Sequence, residues 1–563
     1  MLRIRTGYSF RNSAGHLEEV VSRLQEIGAT HAPITDRAST FAWSRWRKLT
    51  AAAKLKPVYG LELGVTNGPV VGDDLKAFGR QGPPVDYWLF MARESVAPLN
   101  KLVEQATAQF YHVPRLSQQQ AFAAAAQGVA VVLGHKPVGV RWEGGAPPHV
   151  YVGLSPATGR AVATQALRHG WPLAATGCNA YTRPGERALY EVAVGGRDVE
   201  NHTYPQHIMS QGEWFAYMSD HLGLPPDVLE GAWENSAAIL AASTAQLQRA
   251  ELPVPPRPGS LRAMCEAGAA KLGCNLVDQT YAARLDKELA LIEEKGYEDY
   301  FYIVADLVQW ARRTMFVGPA RGSSCGSLVC YLLEITTIDP IPYGLIFERF
   351  VDINRKDMPD IDIDFSDQQR HRVFTYLQQR YGRQHVARLG AVAVFRAKSA
   401  LERIAQTLLI APWKTEAVAE SIIKRSSGDA RALQTIEDAL HNSPAGQQLL
   451  EEHPEAAIVT RLEGHPKNYT QHAAGVVLAS QPISDFVATD HRTGGIMCDK
   501  ADAEAGFNLL KIDALGLTTL SIFEDCLALA GLPPDHLSTV RLDDPAAFQV
   551  INDRKFCGIF QYN

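Results

Sequence analysis

The sequence predicts a multidomain α/β protein, and three observations predict it. Its 563 residues are too many for one hydrophobic core, and at about 150 residues per domain they allow three or four domains. Strand-like and helix-like stretches alternate up to the vicinity of residue 240. After a proline-rich segment, PVPPRPGS at Pro253–Ser260, the pattern changes to long helical periodicity and then a short apolar run studded with aspartates.

The elements follow from spacing. Leu17, Val20, Val21, Leu24 and Ile27 recur at i, i+3, i+4, i+7 and predict an amphipathic helix. A short strand ending in ITD (Ile34–Asp36) follows. VYGLELGV (Val58–Val65), YWLFMA (Tyr87–Ala92), VAVVLG (Val129–Gly134) and HVYVGL (His149–Leu154) read as buried strands. Strands recurring between helices imply parallel βα units, either closed into a barrel or laid open as a sheet. The proline-rich segment is a semi-rigid linker and sets a domain boundary. Residues 281–313 are helical by periodicity. A glycine/serine loop, the aspartate strand, a basic helical stretch and a strand–loop–strand near 471–515 complete the chain. No internal repeat or low-complexity tract is present.

Composition excludes several classes. Hydrophobic residues at 46% and charged residues at 21% describe an ordinary globular protein. No stretch reads as a membrane span, and MLRIRTGYSF lacks the apolar core of a signal peptide. The eight cysteines form no CxxC pair, which excludes a zinc ribbon or disulfide framework and predicts a reducing cytoplasm. The net charge of −6 hides a local excess: Arg370 to Arg431 holds twelve Lys/Arg against four Asp/Glu, Lys424 and Arg425 among the twelve. A basic segment beside an acidic strand suits a polyanionic substrate, and equally a solvated helical face; charge alone does not separate the two.

The chemistry concentrates in two motifs. In PDIDIDF (359–365) the aspartates fall at alternate positions, so on a strand Asp360, Asp362 and Asp364 share a face at roughly 6–7 Å spacing. Intervening β-branched isoleucines and Phe365 favour a strand over a turn. Parallel carboxylates repel unless a cation sits between them, and Mg²⁺ shared with a substrate phosphate meets that need. LLKIDALGL supplies a further carboxylate, Asp513, on a strand-like segment. About 35 residues before the aspartates, VGPARGSSCGSLVCYLLEI places small residues from Gly318 to Ser327 ahead of an apolar helix near Leu328. Gly322 and Gly326 allow close approach to a ligand, free N–H groups at a helix start attract anions, and Ser323, Ser324, Ser327 and Arg321 add donors. No GK[ST] follows, so a Walker-type ATPase loop is excluded. Together the motifs point to phosphoryl or nucleotidyl transfer.

These motifs carry a resemblance. VGPARGSSCGSLVCYLL, IFERFVDINRKDMPDIDIDF, NYTQHAAGVVLAS and LLKIDALGLTTL stand in the order and spacing of the C-family replicative DNA polymerases, the bacterial DNA polymerase III alpha subunits, and RLDKELALIEEKGYEDYF is similar to that family's preceding segment. The resemblance runs from about residue 280 to the end. It implies DNA-directed DNA polymerase activity: addition of dNTPs to a primer 3′-OH by two Mg²⁺ ions. The catalytic, metal-holding aspartates map onto Asp362, Asp364 and Asp513, with Asp360 outside the triad as support for the strand end. The nucleotide-gripping positions map onto Arg321, Gly322, Ser323, Ser324, Gly326 and Ser327, with Arg349, Lys398 and His472 near the nucleotide. Three positions depart from the family: Ala320 replaces a common glycine, Gln471 a lysine and Glu402 an arginine.

Residues 1–250 resemble the PHP domain of the same family, a distorted (β/α) barrel that binds metals in its active members. Here the ligand positions are eroded. Arg3 and Arg5 stand where His-x-His would precede Tyr8-Ser9; Asp36 and Glu62 remain; Arg37, Cys178 and Ala180 replace ligands. Arginines oppose cations, so the resemblance implies a structural barrel without proofreading or phosphatase activity. His16, His31 and His135 are read as core or surface residues.

The implied organisation is a PHP-like domain at 1–250, a polymerase-beta-like palm (a mixed sheet with helices) at 251–403 and 469–517, a helical thumb at 404–468, and the start of the fingers at 518–563. Primer–template DNA and dNTPs are the implied partners. The sliding clamp or other replisome proteins would bind through missing regions, and full activity would need fingers from a longer chain or a second polypeptide. Two other readings compete: a non-catalytic DNA- or replisome-binding remnant of a polymerase, and a PHP-type phosphoesterase.

Overall fold

The computed structural model describes residues 1–68, 83–109, 113–137, 139–195, 202–354, 358–422, 435–533, 536–541, 543–557 and 559. Lys424, Arg425 and Arg431 of the basic segment lie outside the described residues. The chain divides into two compact units. The first comprises Met1–Arg249, Arg388–His472 and Ile483–Phe507, the second Ala250–Ala387, Ala473–Pro482 and Asn508–Asn563.

The first unit begins with seven strands: β1 (His31–Ile34), β2 (Lys56–Thr66), β3 (Asp86–Ala92), β4 (Arg115–Ser117), β5 (Val129–Leu133), β6 (Val150–Leu154) and β7 (Leu173–Ala175). They form one sheet in the order β1-β2-β3-β5-β6-β7, with β4 paired to β2 off that path. The sequence leads to parallel βα units throughout, and the structure departs from this at β3, which is antiparallel to both β2 and β5. A strand buried on both faces reads the same in either direction, so its apolar pattern carries no signal of polarity. The predicted helix is present as Leu17–Glu26, with Leu17, Val20, Val21 and Leu24 buried.

Further along the chain come β8 (Asp362–Ser366) in the second unit, then β9 (Val386–Val394), β10 (Pro466–Leu478), β11 (Thr489–Asp490), β12 (Gly495–Ile496) and β13 (Leu510–Leu517). β10 passes from the first unit into the second after His472. Within the first unit, the helix Ala397–Leu408 packs its buried Leu401, Ile404 and Ala405 in one apolar cluster with Leu189, Tyr190 and Leu440.

In the second unit, residues 281–313 form two helices, Gln279–Lys295 and Glu298–Arg312. The break is Gly296, left-handed at φ 67°, a conformation glycine adopts without the Cβ penalty. The second helix buries Tyr300, Phe301, Val304, Leu307 and Val308 in one core with Ile361, Ile363 and Phe365 of the aspartate segment and Val476, Leu478, Leu510 and Ile512 of β10 and β13. Each such side chain stabilises by about 1.5–3 kcal/mol. That core fixes one face of β8 and leaves the other to the aspartates. No helix among the described residues is long and apolar enough to cross a membrane.

Candidate metal- and nucleotide-binding centre

β8 and β13 run side by side in parallel, with Asp513 opposite Asp362 and Leu515 opposite Asp364. Ile363 and Phe365 turn into the core, so Asp362 and Asp364 project from the opposite face. Oxygens of Asp360, Asp362 and Asp513 all lie within 4.8 Å of one another. Asp364 is not part of this group; its carboxylate accepts from Arg321 Nη1 at 3.1 and 3.5 Å. Asp360, read from sequence as support for the strand end, instead faces Asp513 across a buried lysine. Lys511 Nζ donates to both Asp360 oxygens at 3.1 Å and to Asp513 Oδ2 at 2.6 Å.

The electrostatics of the cluster are those of a cation site. Burial, then the Asp360 and Asp513 carboxylates, push the Asp362 carboxyl above its usual range, against the opposing pull of Arg321 and Lys511. Asp513 Oδ1 is buried with no hydrogen-bond donor. A buried carboxylate oxygen left without a partner is costly, and a hard divalent cation is the ligand that satisfies it. The donor set therefore fits Mg²⁺.

The glycine/serine loop is anchored beside these carboxylates. Val317 bridges to Phe365, and the Gly318 N–H donates to the Asp364 carbonyl at 2.8 Å. Gly322 is left-handed at φ 66°, and a Cβ there would stand 3.4 Å from Asp362 Oδ2. Arg321, Gly322 and Ser323 are exposed. Ser324 and Ser327, expected to donate to phosphate, are instead 1% and 0% exposed. The Ser324 hydroxyl donates to the Arg321 carbonyl at 2.8 Å and that of Ser327 to Glu288 at 2.8 Å. The start of the helix Leu328–Leu332 is likewise engaged, because the Leu328 and Val329 N–H groups donate to Glu288. A buried carboxylate and a backbone carbonyl thus take the donors that sequence reading assigned to a ligand. Gly326 is buried behind the loop, and Arg349 is exposed at the end of a short turn, Phe347–Arg349. Lys398, exposed on the helix Ala397–Leu408, and His472, half-buried on β10, belong to the first unit.

Sequence reading missed Lys511 and Glu288. Both left a signal: Lys511 stands two residues before Asp513 on the same strand face, and Glu288 sits with Leu285 and Ile292 on the buried stripe of its helix, where a charge demands a partner.

In the first unit the eroded ligand positions form an ion network. Glu62 is 0% exposed and is reached by Arg3 Nε at 3.1 Å, Arg5 Nη2 at 2.7 Å and Arg37 Nε at 2.7 Å. Burial alone would raise its carboxyl pKa, but Arg37, Arg5 and Arg3 together hold it far below the usual range. Asp36 accepts from the Thr6 N–H and hydroxyl at 2.7 and 2.8 Å and the Ser9 hydroxyl at 2.6 Å. Burial nevertheless pushes it up to about 6. Arg37 also stacks on Tyr87, 3.7 Å from the ring centre. Cys178 and Ala180 are buried.

Comparison with known proteins finds similarity in both parts of the chain. A family model described as the bacterial DNA polymerase III alpha NTPase domain matches residues 259–516, and a PHP domain model matches residues 1–139. A Bacillus subtilis protein named DNA polymerase III subunit alpha is 28% identical over 604 residues, spanning 100% of this chain and 52% of the relative. Proteins of the same name from Halalkalibacterium halodurans and Thermus aquaticus are 35% and 37% identical over 54% and 49% of this chain, and 27% and 23% of their own lengths. The chain thus spans about half the length of the B. subtilis relative.

Proposed function

From its similarity to bacterial DNA polymerase III alpha subunits along the whole chain, we propose that the protein is a member of that family and that its second unit carries the metal- and nucleotide-binding centre of template-directed DNA synthesis. The single observation that carries this reading is the β8–β13 register, which sets Asp513 beside Asp362 within a carboxylate cluster holding an unpartnered buried oxygen. Primer–template DNA and dNTPs are the substrates of this reading.

Asp362 and Asp513, with Asp364 and Asp360 at their flanks, would hold two Mg²⁺ ions. When bound, such ions supply the positive charge that acidifies a primer 3′-OH and stabilises a pyrophosphate leaving group. The side chains prepare the site for them. Lys511 neutralises Asp360 and Asp513, which would otherwise repel across the cluster. Arg321, 46% exposed, exchanges Asp364 for phosphate oxygens of the incoming triphosphate, its planar fork suiting either partner. The backbone at Gly322 lies beside Asp362, and Ser323 next to it is exposed. Ser324 and Ser327 act behind the loop.

In the first unit, the Arg3–Arg5–Arg37–Glu62 network is a structural replacement for metal ions, and the unit neither hydrolyses phosphoesters nor proofreads. Guanidinium groups at these positions repel the divalent ions such chemistry needs.

The test is single-nucleotide incorporation by the chain on a primed template with Mg²⁺, alongside Asp362→Asn. The reading expects incorporation by the unsubstituted chain and its loss in the variant, with an unchanged melting midpoint. Retained incorporation in Asp362→Asn overturns it. The non-catalytic alternative predicts DNA binding without metal-dependent dNTP binding.

A further inference from the structure

We propose that Arg284 and Glu288 are positioning residues for nucleotide binding, a clamp that presets the loop from Gly318 to Ser327 for a nucleoside triphosphate. This rests on the polymerase reading above and deepens it.

The loop is held at two ends. One tether is at β8, through the Val317–Phe365 bridge and the Gly318 N–H to the Asp364 carbonyl. The other is the clamp, an i, i+4 pair on the helix Gln279–Lys295. Glu288, 0% exposed, accepts from the Ser327 hydroxyl at 2.8 Å and the Leu328 and Val329 N–H groups at 2.9 and 3.0 Å. Arg284 Nε donates to Glu288 at 2.7 Å, while its Nη2 donates to the Gly326 carbonyl at 2.6 Å and the Leu345 carbonyl at 3.0 Å. One ion pair thus satisfies donors on one side of the loop's end and acceptors on the other. It also draws in the neighbouring segment so closely that a Cβ on Gly326 would meet the Ile346 carbonyl at 2.6 Å.

The chemistry of the clamp is specific. Every group hydrogen-bonded to Glu288 is a donor: a hydroxyl, two amides and a guanidinium. An acceptor-only side chain is therefore required, and glutamine would turn an NH₂ against them. Neither clamp residue belongs to the exposed Arg321–Ser323 stretch, so neither touches the ligand directly. Their effect is entropic: a loop fixed at both ends loses less freedom when it closes on a triphosphate than a loop fixed at one.

The test uses the full chain, Glu288→Gln and Arg284→Lys, the second retaining the charge opposite Glu288 while giving up the forked contact to two carbonyls. Equilibrium binding of Mg²⁺·dATP is measured by displacement of a fluorescent analogue, with Mn²⁺ binding at the carboxylates as a parallel readout. The expected result is at least tenfold weaker dATP binding in both variants with Mn²⁺ affinity unchanged. Binding of dATP within twofold of the unsubstituted chain in both variants overturns the clamp and leaves the polymerase reading standing. Parallel loss of Mn²⁺ binding also overturns it, marking the pair as general support for the unit. Failure of the unsubstituted chain to bind dATP overturns both.

Discussion

Replacing Asp513 with asparagine separates a carboxylate kept for a ligand from one kept for stability. In the folded chain Asp513 lies within 4.8 Å of the Asp360 and Asp362 oxygens and 2.6 Å from Lys511 Nζ. At an effective dielectric of about 20, a like-charge pair at that separation costs roughly 3 kcal/mol, and the contact with Lys511 returns about 6 kcal/mol. The two repulsions and the one attraction nearly cancel, and Lys511 keeps both contacts to Asp360 after the substitution. Asp513→Asn should therefore change unfolding free energy by no more than about 1 kcal/mol. Cation binding should respond very differently, because asparagine removes the negative charge of a carboxylate whose buried Oδ1 has no hydrogen-bond donor. A loss of roughly 4 kcal/mol of transition-state stabilisation corresponds to about a thousandfold in rate. Chemical denaturation, Mn²⁺ titration and single-nucleotide incorporation on the same preparation read all three quantities. A variant that keeps a tenth or more of incorporation, or that loses more than about 3 kcal/mol of stability, would refute the reasoning.

Glu62→Gln should destabilise the first unit by about 3–5 kcal/mol, the cost of leaving three converging guanidiniums without their carboxylate, while EDTA leaves unmoved the denaturation midpoint of Asp513→Asn, whose second-unit cation site is disabled; a chelator-sensitive midpoint in that variant would show that a metal, not this network, holds the pocket. Asp36 gives a pH dependence of defined sign: its folded pKa, about 6, lies above its ordinary 3.8, so the folded state binds the extra proton and stability falls as pH rises between those values. Relative to Asp36→Asn, the unsubstituted chain should lose about 2.4 kcal/mol from pH 4 to pH 7, and a flat difference in denaturation midpoints would contradict the shift. Gly322→Ala should weaken Mg²⁺·dATP binding about five- to thirtyfold, since a left-handed alanine costs roughly 1–2 kcal/mol and its methyl faces Asp362 Oδ2, whereas equal affinity in a binding titration would place the nucleotide elsewhere.

How far the sequence exposes this arrangement depends on the kind of signal each element leaves. The aspartate strand is legible because alternation with isoleucine and a terminal Phe365 sets both its type and its faces. The strands at 56–66, 129–133 and 150–154 are legible as buried runs, but the reversal at β3 is not, because apolar runs carry no direction. The pairing of Asp513 with Asp362 spans about 150 residues, and no local pattern encodes it; residue type made Asp513 a candidate, and the family resemblance set it in one site with Asp362. The serines failed for a different reason. A hydroxyl is a donor whether it faces solvent or core, so composition made Ser324 and Ser327 candidates that only burial could retire.

Charge counting then decides which of the two acid-bearing pockets calls for a cation. Around Glu62, three guanidiniums stand against Glu62, Asp36 and Asp86, the last within electrostatic reach of Arg3, and both Glu62 oxygens have partners. That pocket is internally neutral, and a divalent ion entering it would have to displace arginine. Around β8 and β13, among the described residues, the carboxylates of Asp360, Asp364 and Asp513 pair with Lys511 and Arg321, Asp362 lies beside them, and the buried Asp513 Oδ1 has no hydrogen bond. The deficit of about two positive charges equals one divalent ion, before any phosphate arrives. On the proposed function, a triphosphate would add further negative charge and draw Arg321 from Asp364, which would raise the demand to a second ion. Two-metal occupancy should therefore depend on nucleotide: Mn²⁺ titration of the chain should give one tight site alone and two with dATP, and two tight sites without nucleotide would break the link between charge balance and occupancy.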